Sequence, residues 1–396
     1  MKSSSLLNMI PDYPFRKVGR ISQEVQQRDG INVINARIGI PDREAPRAVK
    51  EAMSRFILAD NSTFGYPCDA HPERGIPELI EAIIEDYRKK YAVELRPENI
   101  VVVGWAKEVL YNMVRLFEQG TVYIPDPVYP VYEPASVLTG HRVQRVRTSA
   151  LTGWRPEFSF SKSSSGKDEK PAAFYFCDPN NPTGSVADHD FYRSLLENMK
   201  SADVTGIFDK AYKDYVFDNT TRPVSITQIP GLIDRGFEIV SFSKHYNFVG
   251  IGLGWIVSSE ENIGRWLKLS SQYSQGVEWY KQKAGVEALT NPAVRTEMQE
   301  YFEELKERRD IFAEGLLSLG LKVAIPKATP YLWIQVPEGY NDEDFALNIL
   351  IDKAHVAFMP GSYFGENGQG YMRATLFLSK AEIAETLERI QKVKSW

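Results

Sequence analysis

Between about Pro46 and Val257 the chain alternates short apolar runs with stretches of helical spacing, and each apolar run ends in a cluster of glycine or polar residues. That alternation predicts an α/β fold built on a mainly parallel sheet covered by helices on both faces. In open sheets of this kind ligands bind beyond the strand ends, so the residues that close each run are the first candidates for chemistry. A long helical region follows Asn262 and continues from Pro292 to Leu319, with Phe302, Leu305, Ile311, Phe312 and Leu316 at roughly helical spacing. Strand-like stretches at Lys322 to Ile325, Tyr331 to Val336, His355 to Met359 and Tyr371 to Leu376 follow, then a closing helix from Lys380 to Val393. The expected division is a large domain over 46–290 and a small α+β domain over 291–396, with no internal repeat.

Five strand exits carry distinctive residues. Phe237-Glu238-Ile239-Val240 leads into Ser241-Phe242-Ser243-Lys244, ahead of Gly250-Ile251-Gly252-Leu253-Gly254. A lysine just beyond a buried strand loses its proton more readily than a solvated one and can condense with an aldehyde. The run Ala172 to Cys177 ends in Asp178-Pro179-Asn180-Asn181-Pro182-Thr183-Gly184, a tight turn that leaves an Asn amide pointing from a strand end. Ile207-Phe208 ends in Asp209-Lys210-Ala211-Tyr212. Ile100 to Val103 ends in Gly104-Trp105-Ala106-Lys107, ahead of an amphipathic helix pattern, and such a turn offers free backbone N–H groups to an anion. After Thr121 to Ile124, Pro125-Asp126-Pro127-Val128-Tyr129-Pro130-Val131-Tyr132 supplies aromatic rings.

These parts suit pyridoxal 5'-phosphate. Lys244 serves the aldehyde, and Asp209 keeps the pyridine nitrogen protonated so that the ring absorbs electrons released at Cα. Asn181 and Tyr212 serve the phenolate, Tyr129 stacks on the ring, and the glycine turn takes the phosphate. Each residue has a plainer alternative: a surface lysine, an Asp209–Lys210 pair, a turn asparagine, tyrosines in the core.

The order Gly-turn, Pro-x-Tyr-Pro, Asn-Asn-Pro-Thr-Gly, Asp-x-Ala-Tyr, Ser-x-Ser-Lys and a C-terminal Arg resembles the fold-type I pyridoxal-phosphate enzymes of the class I/II aminotransferase family over nearly the whole chain. Ala106-Lys107, Asp126 to Pro130, Phe248-Val249-Gly250, Leu253-Gly254-Trp255 and Pro330 to Trp333 are closest in flavour to the LL-diaminopimelate aminotransferase subgroup. The resemblance implies that Lys244 forms the Schiff base and that Ala106, Lys107, Ser241 and Ser243 hold the phosphate. It implies that Tyr66 reaches the phosphate of a neighbouring subunit, which makes the active unit a homodimer with shared active sites. Arg373, whose guanidinium matches a carboxylate in bidentate fashion, takes the substrate α-carboxylate together with Asn181 and the Gly39 amide. Residues 1–45 join the small domain and cover the active site, where Tyr13, Phe15 and Arg37 either read the substrate side chain or serve the core or the surface.

Three departures surround the phosphate. Gly252 stands where relatives usually carry an Arg, Trp105 where small residues are the rule, and Gln275 where an Asn tends to serve the partner's phosphate. Loss of a guanidinium weakens the hold on a dianion unless another cation substitutes, and Lys107 is the nearest. Glu278, close behind, is expected to welcome a cationic substrate side chain.

Transamination of an L-amino acid, with Lys244 removing the Cα proton, is the expected reaction. The alternative is a cyclase or lyase in the manner of capreomycidine and enduracididine synthases; an inactive sensor of the same fold is a more distant one. A net charge of −5 in 396 residues gives no footprint for nucleic acid. Cys68 and Cys177 lie far apart, consistent with a reduced cytoplasmic setting, and the five His residues are too scattered for a metal site. Met1 to Phe15 reads as neither a signal peptide nor a membrane span.

Overall fold

The structure is a computed structural model that describes residues 4–59, 73–160, 170–218 and 220–396. Tyr66, Cys68 and His71 lie outside the described residues. Near the start, helix α1 (Pro14–Asp29) opens on a proline, whose missing N–H costs nothing in a first turn, and closes on left-handed Gly30. Strand β1 (Ile34–Asn35) follows.

The central sheet has seven strands: β2 (Ile100–Val103), β3 (Thr121–Asp126), β4 (Arg142–Arg147), β5 (Pro171–Cys177), β6 (Thr205–Asp209), β7 (Gly236–Ser241) and β8 (Gly254–Val257). Their spatial order is β2-β8-β7-β6-β5-β3-β4. β3, β4, β5, β6 and β7 pair in parallel, and β8 runs antiparallel to both its neighbours. β2 and β7 are buried along their whole length because both faces of the sheet are covered. Parallel pairing brings Asp126, Cys177, Asp209 and Ser241 to one edge of the sheet, where the site is built.

The alternation expected from the sequence holds over much of this region, and the link from β6 to β7 departs from it. Among the described residues between β6 and β7 the only helical pieces are the 3-10 turns Ile226–Gln228 and Ile233–Arg235, because Pro223 and Pro230 break any longer helix. The described covering helices include α2 (Arg47–Leu58), α3 (Pro77–Tyr91), α4 (Ala106–Met113), α5 (Tyr132–Leu138) and α6 (His189–Ala202). They continue with α7 (Glu260–Ser270), α8 (Trp279–Thr290) and α9 (Pro292–Ser318), and α8 packs on both α2 and α3.

A second sheet is antiparallel, in the order β12-β13-β10-β9, from β9 (Lys322–Ala324), β10 (Tyr331–Gln335), β12 (Met359–Pro360) and β13 (Tyr371–Thr375). The single strand expected from His355 to Met359 is in fact two short pieces. β11 (Val356–Ala357) pairs in parallel with β1, whereas β12 pairs with β13, so the chain changes partner at Phe358. The closing helix α10 (Lys380–Val393) starts where the sequence places it, fixed by a capping box in which Ser379 and Glu382 satisfy each other's backbone N–H. It lies so close to α9 that a Cβ at Gly315 would stand 2.2 Å from Leu387 Cδ1.

Candidate active site

Lys244 stands in a single helical turn, Phe242–His245, that leaves β7; the Ser241 hydroxyl caps the turn by accepting the Ser243 N–H at 3.1 Å. Its side chain enters a cavity of about 540 Å³ at the exits of the parallel strands. Burial, and then the Arg373 guanidinium, push the Lys244 ammonium down to about 8, with Asp209 opposing them. The ammonium donates to the Gly39 carbonyl. His245, beside it, is pushed down to about 4 by burial and stays neutral near pH 7.

Asp209 closes β6 beneath the same cavity. Burial pushes its carboxyl up, and two donors hold its charge against that cost: the Tyr132 hydroxyl at 2.7 Å and the Ala211 N–H at 3.0 Å. Tyr132 is itself fixed by stacking on Tyr175, ring centroids 4.4 Å apart. Lys210 points the other way and donates to Asp178 at 2.7 Å and to Tyr192, so an Asp209–Lys210 pair does not form.

Arg373 is fully buried. One terminal nitrogen donates to Asn181 Oδ1 and the other to the Arg37 carbonyl, each at 2.7 Å. The guanidinium lies 4.1 Å over the Tyr331 ring, 4.8 Å from that of Phe364 and 5.3 Å from that of Phe15, and its Nε has no partner. Asn181 also donates to the Tyr212 hydroxyl at 3.5 Å, and Tyr212 shares a 2.9 Å hydrogen bond with Tyr331. Gly39 must be glycine here, since a Cβ would come within 1.9 Å of the Tyr331 hydroxyl.

At the other end α4 begins at Ala106 without a side-chain cap from Trp105, leaving its first N–H groups directed at the cavity edge. Lys107 lies 4.3 Å over the Tyr13 ring. Tyr13, Gly39, Ala106, Lys107, Tyr129, Asn181, Asp209, Tyr212, Ser241, Ser243, Lys244 and Arg373 all line this one cavity, though they are drawn from across the chain.

Two side chains offered for reading the substrate do not line this chain's cavity. Arg37 does not line the cavity: its Nη1 donates to the Phe15 carbonyl at 3.0 Å and Nη2 packs under Gly19, because α1 covers it. Glu278 does not line it either, being drawn to Lys281 at 2.9 Å across one helical turn. Two residues of the site were missed, Tyr132 and Tyr331. A period-2 reading of β10 against β13 finds the second, since Tyr331 faces Thr375 and sits diagonally across from Arg373.

The family model for aminotransferase class I and II matches residues 31–390. The chain belongs to the class I and II aminotransferase family. This aminotransferase is 32% identical to the LL-diaminopimelate aminotransferase of Moorella thermoacetica, over 99% of this chain and 98% of that one. In structure it is similar to substrate-bound BacF of Bacillus subtilis, with a TM-score of 0.90, 27% identity and full coverage of both chains. A single mutant of the aspartate aminotransferase of Thermus thermophilus matches with a TM-score of 0.88 and 26% identity, over 99% of this chain and all of that one. The aminotransferase is therefore an α/β enzyme of fold type I that depends on pyridoxal 5'-phosphate and acts on an amino acid, and these relatives support transamination rather than the cyclase or lyase alternative. The residues present fit the cofactor: a lysine of depressed basicity, a carboxylate below it, ring faces, and an uncapped helix start for a phosphate. Among the described residues no helix is long and apolar enough to cross a membrane, and no cluster of His, Cys, Asp or Glu is placed to hold a metal.

Proposed function

We propose that Lys244 is the residue that carries the cofactor and moves the substrate proton in this aminotransferase. The observation that carries the reading is the position of its Nζ, in the cavity that also holds Asp209 and Arg373, with its ammonium lowered to about 8 so that a neutral amine is at hand near neutral pH. Bound pyridoxal 5'-phosphate supplies an electron sink for the pair left when the Cα–H bond breaks. Asp209, its charge held by Tyr132 and Ala211, pairs with the ring nitrogen. Asn181 and Tyr212 hold the phenolate oxygen, Tyr129 covers the ring, and Ala106, Lys107, Ser241 and Ser243 receive the phosphate. Arg373 binds the substrate α-carboxylate, helped by Asn181 and Gly39, which fixes Cα within reach of Lys244 Nζ; Tyr13 borders the substrate's outer end. Nζ would take the Cα proton and pass it to the bound cofactor; release of the keto acid by water and uptake of the amino group by a second keto acid would complete amino transfer.

The same reading takes the active unit as a homodimer with shared active sites in the cytoplasm, to which Tyr66 contributes across the subunit boundary. It divides the chain into a covering segment 1–45, a cofactor domain 46–290 and a small domain 291–396. The pairing of β1 with β11, which ties the N-terminal segment to residues 356–357 of the C-terminal part, supports that division. In a purified K244R enzyme, amino transfer should fall by about 10⁴-fold, the scale of a lost general base. In R373K, KM for the amino acid should rise with kcat little changed. Retention of kcat within tenfold in K244R would overturn the assignment, and a monomer by sedimentation would overturn the dimer.

A further inference from the structure

We infer that Tyr331 is a positioning residue for the cofactor: its hydroxyl donates to Tyr212 and so directs the single Tyr212 proton at the phenolate oxygen, while its ring supports Arg373. The inference rests on the proposed placement of that oxygen at Tyr212 and Asn181. Four buried side chains close a circuit here. Arg373 donates to Asn181 Oδ1 at 2.7 Å, and the Asn181 amide donates to the Tyr212 hydroxyl at 3.5 Å. Tyr212 and Tyr331 share a hydrogen bond of 2.9 Å, and the Tyr331 ring returns to Arg373, 4.1 Å from the guanidinium. The circuit joins the carboxylate end of the proposed site to its phenolate end.

The bond between the two tyrosines also links the two sheets. Tyr212 follows the end of β6 in the central sheet, whereas Tyr331 begins β10 in the second one. Their rings meet edge to face, centroids 5.5 Å apart at 74°. Gly39 closes on the Tyr331 hydroxyl from another side, so tightly that the backbone there has no room for a Cβ. The Tyr331 oxygen is thus fixed by its ring, and only its proton is free to turn.

Counting protons sets the direction of the bond. Burial pushes both phenols above their ordinary range, so each keeps its one proton at neutral pH. Once Tyr212 gives its proton to the phenolate oxygen, its own oxygen can only accept at the 2.9 Å contact, and Tyr331 must be the donor. Two hydroxyl oxygens that close with no proton between them would repel. A hydroxyl that accepts such a bond becomes a better donor, since hydrogen bonds in a chain polarise one another. Tyr331 thereby strengthens the hold on the phenolate through Tyr212. Support of Arg373 needs only the ring, so the two roles separate in Y331F, which keeps the ring and loses the hydroxyl.

The test titrates the parent enzyme, Y331F, Y212F and the double variant, each loaded with pyridoxal 5'-phosphate, while the cofactor's visible absorption is followed without turnover. A donor to the phenolate oxygen favours its charged form, so the loaded cofactor gives up its proton at lower pH, and loss of a donor moves the midpoint up. The other titratable or charged groups facing the pair, Arg373, Cys177, Tyr13 and Tyr215, are the same in every variant. Y331F should raise the midpoint by about half a unit, the scale of one neutral hydrogen bond felt through another. Y212F should raise it further, and the double variant should match Y212F. In Y331F kcat should fall about threefold while KM for the amino acid stays within about twofold, because the ring still lies over Arg373. A midpoint moved by Y212F but not by Y331F would overturn the inference alone. So would a Y331F shift that survives undiminished in the Y212F background, or an unchanged kcat. A midpoint unmoved by Y212F would instead remove the Tyr212 placement on which the inference rests.

Discussion

The indole of Trp105 lies directly on Gly252: a Cβ built at position 252 would stand 2.3 Å from Trp105 Cε2 and 2.7 Å from Cζ2. Two departures that look separate in the sequence are thus one steric unit, in which the ring occupies the space any side chain at 252 would need. Gly252 also has φ +70°, a left-handed conformation that charges any other residue about 1–2 kcal/mol. G252A should therefore lose about 2–5 kcal/mol of unfolding free energy, the backbone strain plus an overpacking cost of about 1–3 kcal/mol. In a W105A background the same change should cost only the backbone part. Denaturant unfolding of the four proteins measures the coupling, and additive effects would show that the ring and the glycine act independently.

Lys244 should betray its lowered basicity kinetically. Because its ammonium is pushed down to about 8, the rate at which cofactor-free protein condenses with pyridoxal 5'-phosphate should climb with pH and level off near 8. An ordinary lysine would go on gaining to about 10.4. The same shift has a thermodynamic face. From about pH 8 up to the ordinary lysine range the unfolded chain holds a proton that the folded one has released, so stability rises with pH across that window. K244M should lack both responses in stopped-flow absorbance and in pH-dependent unfolding.

Tyr132 reaches Asp209 from α5 and stabilises its charged form against burial. Y132F removes a hydrogen bond to a charged group, worth about 1.5–3 kcal/mol, and so raises the Asp209 carboxyl further. The expected outcome is a fall in kcat of about 10- to 100-fold at neutral pH. The acid limb of the pH–rate profile should move upward, while KM for the amino acid stays within about twofold because Arg373 is untouched. An unchanged acid limb would detach Tyr132 from Asp209.

Lys210 and Asp178 form a fully buried ion pair at 2.7 Å, and Asp178 also accepts the Ala187 N–H at 2.9 Å. The pair ties the end of β6 to the turn that carries Asn181. K210M leaves an uncompensated buried carboxylate and should cost about 3–5 kcal/mol, whereas K210M/D178N removes the charge as well and should recover part of that loss. Urea unfolding of both variants tests this.

Much of this site was legible in the sequence because β5, β6 and β7 end at or just before a residue of the site, and parallel pairing delivers those strand ends to a common edge. Lys244, Asp209 and Asn181 are of this kind: a motif and a strand exit suffice to place them. Tyr132 and Tyr331 escaped because their importance is relational; a tyrosine means nothing until the carboxylate or the arginine it touches is known. Arg37 and Glu278 misled for the opposite reason. Their charges were visible, but local partners, the Phe15 carbonyl and Lys281, capture them before they reach the cavity. The break at Phe358 was likewise hidden, since a run of apolar residues does not reveal that its two halves pair with different strands.

The setting of Arg373 has one further consequence. It is held by a carbonyl, an amide oxygen and three ring faces, and by no carboxylate among the described residues. Its positive charge is therefore left uncancelled, and that charge is one of the two forces depressing Lys244. On the proposed placement of the substrate α-carboxylate at Arg373, that carboxylate would supply the missing negative charge and lift the depression. Once the substrate amine has displaced it from the cofactor, Lys244 would then be a stronger proton acceptor when there is a proton to take, a form of substrate-linked activation that needs no movement of the backbone.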